Sequence, residues 1–229
     1  MGIFFAIAIL FSWITHQIYM LIYLPIDLTD IRFWLHLLLQ TWLFTGLFIT
    51  AHDAMHGTIS KTRLINNSLG FITSILYAGL WYPKLKSKHY LHHLYPATAQ
   101  DPDYKTGNQN FFVWWFTFMR QYITIWQLLI MAVLFNIGLL LFNELQLITF
   151  WIIPSVASTF QLFYFGTYAP HRLPHTETMR PHQARSQRKN HFIALLSCYF
   201  FGYHYQHHVS PQTPWWQLYQ MELGKNELI

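Results

Sequence analysis

The chain has 229 residues, of which 53% are hydrophobic, 19% aromatic and only 10% charged, and its formal net charge is +5. So little charge and so much aromatic surface exclude an ordinary soluble domain, and the apolar residues gather in long runs. We therefore predict one integral-membrane domain over 1–229, with no soluble module and no nucleic-acid partner. The single cysteine, Cys198, excludes an internal disulfide.

The first two apolar runs, 3–24 and 31–51, each approach the ~20 residues that cross a bilayer. No basic region precedes the first run and no small-residue cleavage site follows it, so we expect a retained helix rather than a signal peptide. The turn between the two runs, 25–30, contains two aspartates and no basic residue.

The third run, 64–81, is shorter, and it has polar residues near its start and Gly79 near its end. These features favour a segment that dips into the membrane and returns, or lies along the interface. The runs 111–142 and 145–168 are long enough to cross, whereas 192–203 is too short to span alone.

Basic residues are confined almost wholly to the segments between these runs. Short loops rich in Lys and Arg stay in the cytoplasm, so we expect the basic loops to face the cytoplasm and the two acidic turns to face outward. The basic residues that set this orientation are Lys61, Arg63, Lys84, Lys86, Lys88, Arg172, Arg180, Arg185, Arg188 and Lys189.

This charge pattern predicts an all-α polytopic fold with four crossings, at 3–24, 31–52, 121–142 and 147–168, plus re-entrant or interfacial helices. Both termini and the histidine-rich segments then face the cytoplasm, in the inner membrane. An ordinary fifth crossing over 64–81 is the alternative, and it would separate the histidine groups onto opposite sides.

Three histidine groups stand out, at His52 and His56, at His89, His92 and His93, and at His204, His207 and His208. Positions i, i+3 and i+4 share one face of a helix, so each group projects its imidazoles into one space. Neutral imidazole is a common ligand of iron, zinc and copper. Eight ligands exceed the four of a tetrahedral zinc site, so two metals are expected.

One such group alone is weak evidence, because packing also produces it, but three groups on one predicted side favour a metal centre. The chain contains no Glu-x-x-His pair of the kind that holds iron in soluble helical bundles. Its four glutamates, at 144, 177, 222 and 227, are scattered, so histidine must supply nearly all ligands. His16 and His36 lie within apolar runs, away from the groups, and are expected to be hydrogen-bonded core or cavity residues.

The segments around these groups resemble the bacterial-type β-carotene ketolases of the membrane-bound fatty acid desaturase and hydroxylase superfamily. The resemblance rests on HDAMHG at 52–57, HHLYPATAQDPDY at 92–104, FGTYAPHR at 165–172 and HHVSPQTPWWQL at 207–218. The histidine boxes alone identify the superfamily, and the DPDY, FGTYxPHR and PxxPWW elements narrow it to the ketolases.

The resemblance implies a non-haem di-iron centre held by about nine histidines, the ninth matching His171. His175 and His182 in the same loop are weaker candidates. Two positions depart from the family pattern, since Gln206 stands where an acidic residue is common and Phe200 where histidine is frequent. These departures put in doubt the hydrogen bonds that orient ligand imidazoles.

The implied reaction oxidises C4 of a β-ionone ring to a ketone by two O2-dependent hydroxylations, with water lost from the geminal diol. It converts β-carotene to echinenone and canthaxanthin, and whether zeaxanthin is converted to astaxanthin stays open. Asp53, Asp101 and Asp103 are assigned to catalysis, either orienting ligand imidazoles or delivering protons. The alternative for the Asp101 and Asp103 pair is a turn that ends a helix.

The substrate is a ~30 Å hydrocarbon and is expected to enter laterally from lipid. Aromatic residues between the boxes are candidates for its channel, namely Tyr77, Trp81, Phe163, Tyr164, Phe165 and Tyr168. Trp215 and Trp216 are expected to anchor the membrane interface instead.

The basic face has two interpretations, contact with anionic lipid or docking of an acidic ferredoxin that supplies electrons. Two rival functions also stay open. One is another membrane di-iron enzyme, such as a carotenoid ring hydroxylase, an acyl desaturase or an alkane hydroxylase. The other is a non-catalytic haem or metal carrier, with His16 and His36 as the haem ligands.

Overall fold

The computed structural model describes residues 1–188 and 190–221, and within them every regular element is helical. Lys189 of the predicted basic loop and the glutamates at 222 and 227 lie outside the described residues. The helices are α1 (Gly2–Tyr23), α2 (Ile31–His56), α3 (Arg63–Ala78), α4 (Tyr82–Leu94), α5 (Phe111–Tyr122), α6 (Ile125–Gly138), α7 (Glu144–His171), α8 (His191–Cys198) and α9 (His204–Val209), with short 3-10 turns at Glu177–Met179 and Trp215–Gln220. The prediction of an all-α fold is confirmed for this part of the chain.

Three of these helices are long and apolar enough to cross a membrane. They are α1 with 22 residues, α2 with 26 and α7 with 28, which at 1.5 Å per residue exceed the ~30 Å hydrocarbon thickness. They correspond to the crossings predicted over 3–24, 31–52 and 147–168. Two stretches of α7, Ile148–Ile152 and Tyr164–Tyr168, are wound as π-helix.

The crossing predicted over 121–142 is not one continuous helix. α5 and α6 meet at a 90° bend, so they reach the length of a span only as a broken pair. The reason is local, because Ile123 is extended and the Thr124 side chain caps α6 by accepting a hydrogen bond from the Gln127 backbone. Among the described residues there are thus three continuous helices that could span a membrane, or four spans if the bent pair counts as one.

α3 and α4 pack beside α2, and neither is among the helices of the described residues that are long and apolar enough to span a membrane. α3 has 16 residues and ends at Gly79, which adopts a left-handed conformation with φ +66°, the kind of backbone that glycine adopts without strain. The Tyr82 ring packs directly on Gly70, where a side chain would clash. α4 reaches the end of α2, where His89 meets His56; that the α3 segment does not cross the membrane stays a prediction.

The core lies around α2, which packs against α1, α3 and α7. Many exposed side chains of α1 and α6 are large and apolar, as expected where a helix faces lipid. His16 and His36 lie within this bundle, where His16 Nε2 is 2.9 Å from His36 Nδ1 and His16 Nδ1 contacts Gln40. Both histidines are hydrogen-bonded, as predicted.

Candidate metal centre

Nine buried or half-buried imidazoles meet where the ends of α2, α4, α7 and α9 come together. They form two groups. Within each group, one ring nitrogen from every histidine lies within 4.8 Å of the corresponding nitrogen of every other member. The five-histidine group is His52, His56, His89, His93 and His207, and the four-histidine group is His92, His171, His204 and His208. All nine histidines suggested by the sequence are thus brought together.

The Nε2 atoms of the five-histidine group converge on one point. His56 Nε2 lies 2.7 Å from His89 Nε2, which lies 3.0 Å from His93 Nε2. His207 Nε2 completes the group at 2.9 Å from His93 Nε2 and 3.1 Å from His52 Nε2.

The four-histidine group is equally close-packed. His208 Nε2 lies 3.1 Å from both His92 Nε2 and His204 Nε2, and His204 Nε2 lies 3.0 Å from His171 Nε2. His171 comes from the last turn of α7 and is fully buried. The two groups are neighbours, because the rings of His93 and His208 are 4.4 Å apart.

Helix geometry explains why adjacent histidines serve different groups. Consecutive residues on an α-helix point about 100° apart, whereas residues four apart share a face. In α4, His89 and His93 therefore join the five-histidine group while His92 joins the other. In α9, His204 and His208 join the four-histidine group while His207 joins the first.

The spacing of these nitrogens fits metal ligation. Two ligands at 90° on a metal with bonds of about 2.1 Å lie about 3.0 Å apart, close to the separations of 2.7 to 3.1 Å within both groups. Burial, reinforced by neighbouring imidazoles, lowers the pKa of His93 to about 2 and the pKa values of His89, His204, His207 and His208 well below the usual 6.5. These imidazoles are held neutral, which is the form that binds a metal.

In two histidines the remote ring nitrogen, which is the Nδ1 that faces away from the group, has a clear hydrogen-bond partner. The Asp101 carboxylate contacts His92 Nδ1 at 3.0 and 3.1 Å, and the Gln183 carbonyl accepts from His171 Nδ1 at 2.9 Å. Burial alone would lower the pKa of His92, but the Asp101 charge raises it on balance. Such partners fix the tautomer and orientation of a ligand ring.

Three other histidines lack such a partner at Nδ1. His204 Nδ1 and His208 Nδ1 have no hydrogen-bond partner among the described residues, and neither does His52 Nδ1. Gln206, whose family counterpart is commonly acidic, accepts a hydrogen bond from the Ser186 hydroxyl instead of contacting a ligand ring. Phe200 packs among aromatic side chains, with its ring 5.3 Å from that of Tyr219.

Asp53 lies beside the five-histidine group without pointing into it. Its Oδ1 is 3.6 Å from His52 Nδ1, and its Oδ2 accepts from the Trp215 backbone at 3.2 Å. The prediction that Trp215 anchors the membrane interface is wrong, because its ring is 7% exposed and packs against Phe5 and Tyr199. Asp53 thus ties the C-terminal segment to α2.

The two weaker candidates for the ninth position stay outside both groups. His175 Nε2 is 2.8 Å from the His171 carbonyl oxygen, and the His182 ring lies 5.6 Å from that of His208. The sequence analysis missed the Gln183 carbonyl, because backbone groups leave no residue signature. It also missed Tyr122, whose hydroxyl donates to the Asp103 carboxylate across 19 residues of sequence.

An apolar cavity opens beside both groups. His52, His89, His92 and His204 form part of its wall, together with apolar side chains of α2, α3, α5 and α7. Among the six aromatic residues suggested as channel lining, Tyr77 contributes to this wall, while Tyr164 and Phe165 border a separate depression. Its mainly apolar lining suits one end of a large apolar ligand.

Comparison with known proteins gives consistent matches. The profile of the family described as "Fatty acid desaturase" matches residues 31–124 and 111–223. A "Beta-carotene ketolase" from Paracoccus sp. (strain PC1) is 40% identical over 78% of this chain and 74% of its own length. A second "Beta-carotene ketolase", from Paracoccus sp. (strain N81106 / MBIC 01143), is 36% identical over 92% and 87%, respectively.

A longer algal relative also matches this chain. The "Zeaxanthin 4-ketolase" of Chlamydomonas reinhardtii is 42% identical over 77% of this chain, which corresponds to 41% of the algal protein.

Proposed function

The chain belongs to the fatty acid desaturase family, and within it to the β-carotene ketolases, and we propose on this basis that it oxidises C4 of β-ionone rings to a ketone. The observation that carries the proposal is the meeting of nine imidazoles, four of which line an apolar cavity. Such a site supports several oxidation reactions, and the sequence identity to named ketolases favours ketolation among them.

The overall reaction at each ring has three balanced steps. The C4 methylene, O2, two electrons and two protons give the alcohol and water. The alcohol, a second O2, two electrons and two protons give the geminal diol and water. The diol then loses water and becomes the ketone, so the carbon loses four electrons over the sequence.

We assign the five-histidine and four-histidine groups as the ligands of two iron ions. Iron bound there would supply the O2 activation that removal of hydrogen from the C4 methylene demands. The described ligand spheres contain no glutamate, and Asp101 acts on His92 from its remote nitrogen. Asp53, Asp101 and Asp103 are therefore proposed as residues that hold the site in place rather than as direct ligands.

The cavity determines where the substrate lies. Its wall is apolar apart from the imidazoles and a few polar side chains, so it excludes water from the reacting carbon and accepts a hydrocarbon ring by burial of apolar surface. A carotenoid dissolved in the bilayer reaches it laterally, with one ring beside the imidazoles and the polyene extending toward lipid.

Electrons come from outside the chain in this proposal. Lys84 and Lys86 lie within the histidine-bearing helix α4, and Arg172 directly follows α7, on the side proposed to face the cytoplasm under the inner membrane. An acidic ferredoxin-type donor matches this charge, as do anionic lipids.

The rival functions are less well supported. A haem carrier needs two imidazoles on opposite sides of a porphyrin, but His16 and His36 hydrogen-bond to each other with their rings 5.2 Å apart. A ring hydroxylase or acyl desaturase would use the same imidazoles, and the ketolase names of relatives at 36–42% identity favour ketolation.

Expression in cells that make β-carotene tests the proposal. We expect carotenoids in which each modified ring has gained one oxygen and lost two hydrogens. A matched strain producing His93→Ala protein should contain unmodified β-carotene. Unchanged pigment with the wild-type protein, at measured iron loading, would refute ketolation, and a stable hydroxylated product alone would favour the hydroxylase.

A further inference from the structure

One polar pair stands out in the wall of the apolar cavity. Asp103 and Tyr122 both line it, and the Tyr122 hydroxyl donates to Asp103 Oδ1. Asp103 is 8% exposed, and no part of the proposed substrate, a hydrocarbon, offers a hydrogen bond to this pair. A buried carboxylate costs free energy unless something compensates it, so its presence in the cavity needs a reason.

The carboxylate is held firmly in place. The Asp103 backbone N–H donates to Asp101 Oδ1 at 2.8 Å, and the Asp103 carbonyl accepts from the Trp114 indole at 2.8 Å. Trp114 itself is almost fully buried. Backbone and side chain are therefore fixed by three separate residues before any ligand enters.

Asp103 Oδ2, the second carboxylate oxygen, has no hydrogen bond among the described residues. His92 Nδ1 lies 4.0 Å from it and is already engaged by Asp101 at 3.0 Å. Asp103 thus offers one acceptor to the cavity, beside the four-histidine group to which His92 belongs.

The hydrocarbon substrate carries no donor for this acceptor, but the product of its first oxidation does. We propose that Asp103, positioned by Tyr122, binds the C4 hydroxyl of the alcohol intermediate and retains it in the cavity for the second oxidation. The inference rests on the proposed function. The alcohol O–H donates to Asp103 Oδ2, no covalent bond changes, and the anchored oxygen limits rotation of the ring so that the remaining C4 hydrogen stays near the imidazoles.

This role predicts a change in the product ratio rather than in overall activity alone. Tyr122→Phe removes the hydroxyl that holds Asp103 and keeps the ring, and Asp103→Asn replaces the carboxylate by a weaker acceptor. Both variants should release the 4-hydroxylated carotenoid, and we expect the ratio of alcohol to ketone to rise about tenfold, because hydrogen bonds to charged groups are the stronger ones. Tyr104→Phe is the matched control, since Tyr104 follows Asp103 in the sequence but does not line the cavity, and its ring packs on Trp114.

The measurement is the pigment composition of membranes given β-carotene, O2 and reductant. A higher ratio in both test variants, with the Tyr104→Phe ratio equal to wild type, supports the inference. An unchanged ratio in folded, metal-loaded Tyr122→Phe and Asp103→Asn proteins overturns it. Absence of any C4 oxidation by wild-type protein would instead refute the proposed function.

A second experiment needs only the wild-type protein. Membranes receive isotopically labelled β-carotene together with an excess of unlabelled 4-hydroxylated carotenoid. Retention predicts labelled ketone with little labelled alcohol in the lipid. Labelled alcohol that accumulates first and is then diluted by the unlabelled pool would overturn the inference, even if both variants failed to fold.

Discussion

The Asp101 carboxylate holds the remote nitrogen of His92 through both of its oxygens, at 3.0 and 3.1 Å. The same oxygens accept from the Ala97 and Asp103 backbone N–H groups at 2.9 and 2.8 Å. The turn after α4 is thereby built around the carboxylate, so the turn and the ligand-orienting interpretations of this aspartate hold together.

Asp101→Asn should weaken metal binding at the four-histidine group. The amide cannot accept the His92 proton as strongly while serving two backbone donors, and loss of such a partner typically costs 10–100-fold in metal affinity. Chelator titration of purified protein measures the effect. Asp27→Asn, in the exposed turn between α1 and α2, is the control, and equal affinities for the two variants would contradict the assignment.

His171→Ala should remove the metal of the four-histidine group, because only four imidazoles converge there. His175→Ala changes the same loop but not the group, so its metal content should match wild type. Metal analysis of both proteins by mass spectrometry decides between them. Full loading of His171→Ala would show that another residue completes the sphere.

Asp53→Ala should destabilise the protein without removing an imidazole from either group. The variant leaves the Trp215 backbone N–H without its acceptor in a buried position, at a cost of about 1–3 kcal/mol. Asp53→Asn keeps an acceptor and should lose less. Thermal unfolding in detergent measures both, and identical melting temperatures for all three proteins would rule out the tether.

Acid should destabilise the metal-free protein. Burial lowers the pKa values of His89, His93, His204, His207 and His208 below the ~6.5 of an unfolded chain. Their contribution is present above pH ~6.5 and is lost as pH falls below it, by up to ~1.4 kcal/mol per pH unit for each histidine. His92, with its raised pKa, acts in the opposite direction but is outnumbered.

Unfolding of chelator-treated protein at a series of pH values tests this expectation. The metal-loaded protein is the comparison, since bound metal keeps the imidazoles deprotonated and moves the loss to lower pH. Constant stability of the metal-free protein between pH 7.5 and 5.5 would contradict the depressed pKa values.

Ferredoxin-driven turnover should fall as ionic strength rises. Attraction between a basic face and an acidic donor is screened over about 10 Å at 0.1 M salt, so the rate at limiting ferredoxin should drop about tenfold or more between low and high salt. Turnover with a small neutral reductant is the control. A ferredoxin-driven rate that does not change with salt would refute the electrostatic docking hypothesis.

The sequence predicted most of the site because imidazole spacing on helices is a local property. The positions of His89, His92 and His93 needed only the helical period, and the continuous spans needed only apolar length. The break between α5 and α6 was not predicted, because the residues on both sides of it are apolar. Only one side chain, that of Thr124, marks the new helix start by capping α6. Contacts between distant residues, such as Tyr122 with Asp103 and Asp53 with Trp215, depend on packing that periodicity does not encode.

Because α4 and α9 each carry neighbouring histidines that face different groups, neither helix belongs to one metal position alone. A turn of either helix about its axis would disturb both positions at once. The two sites should therefore fill together, with the first ion arranging the helices that receive the second. Insertion of a single residue within either helix should abolish both sites rather than one.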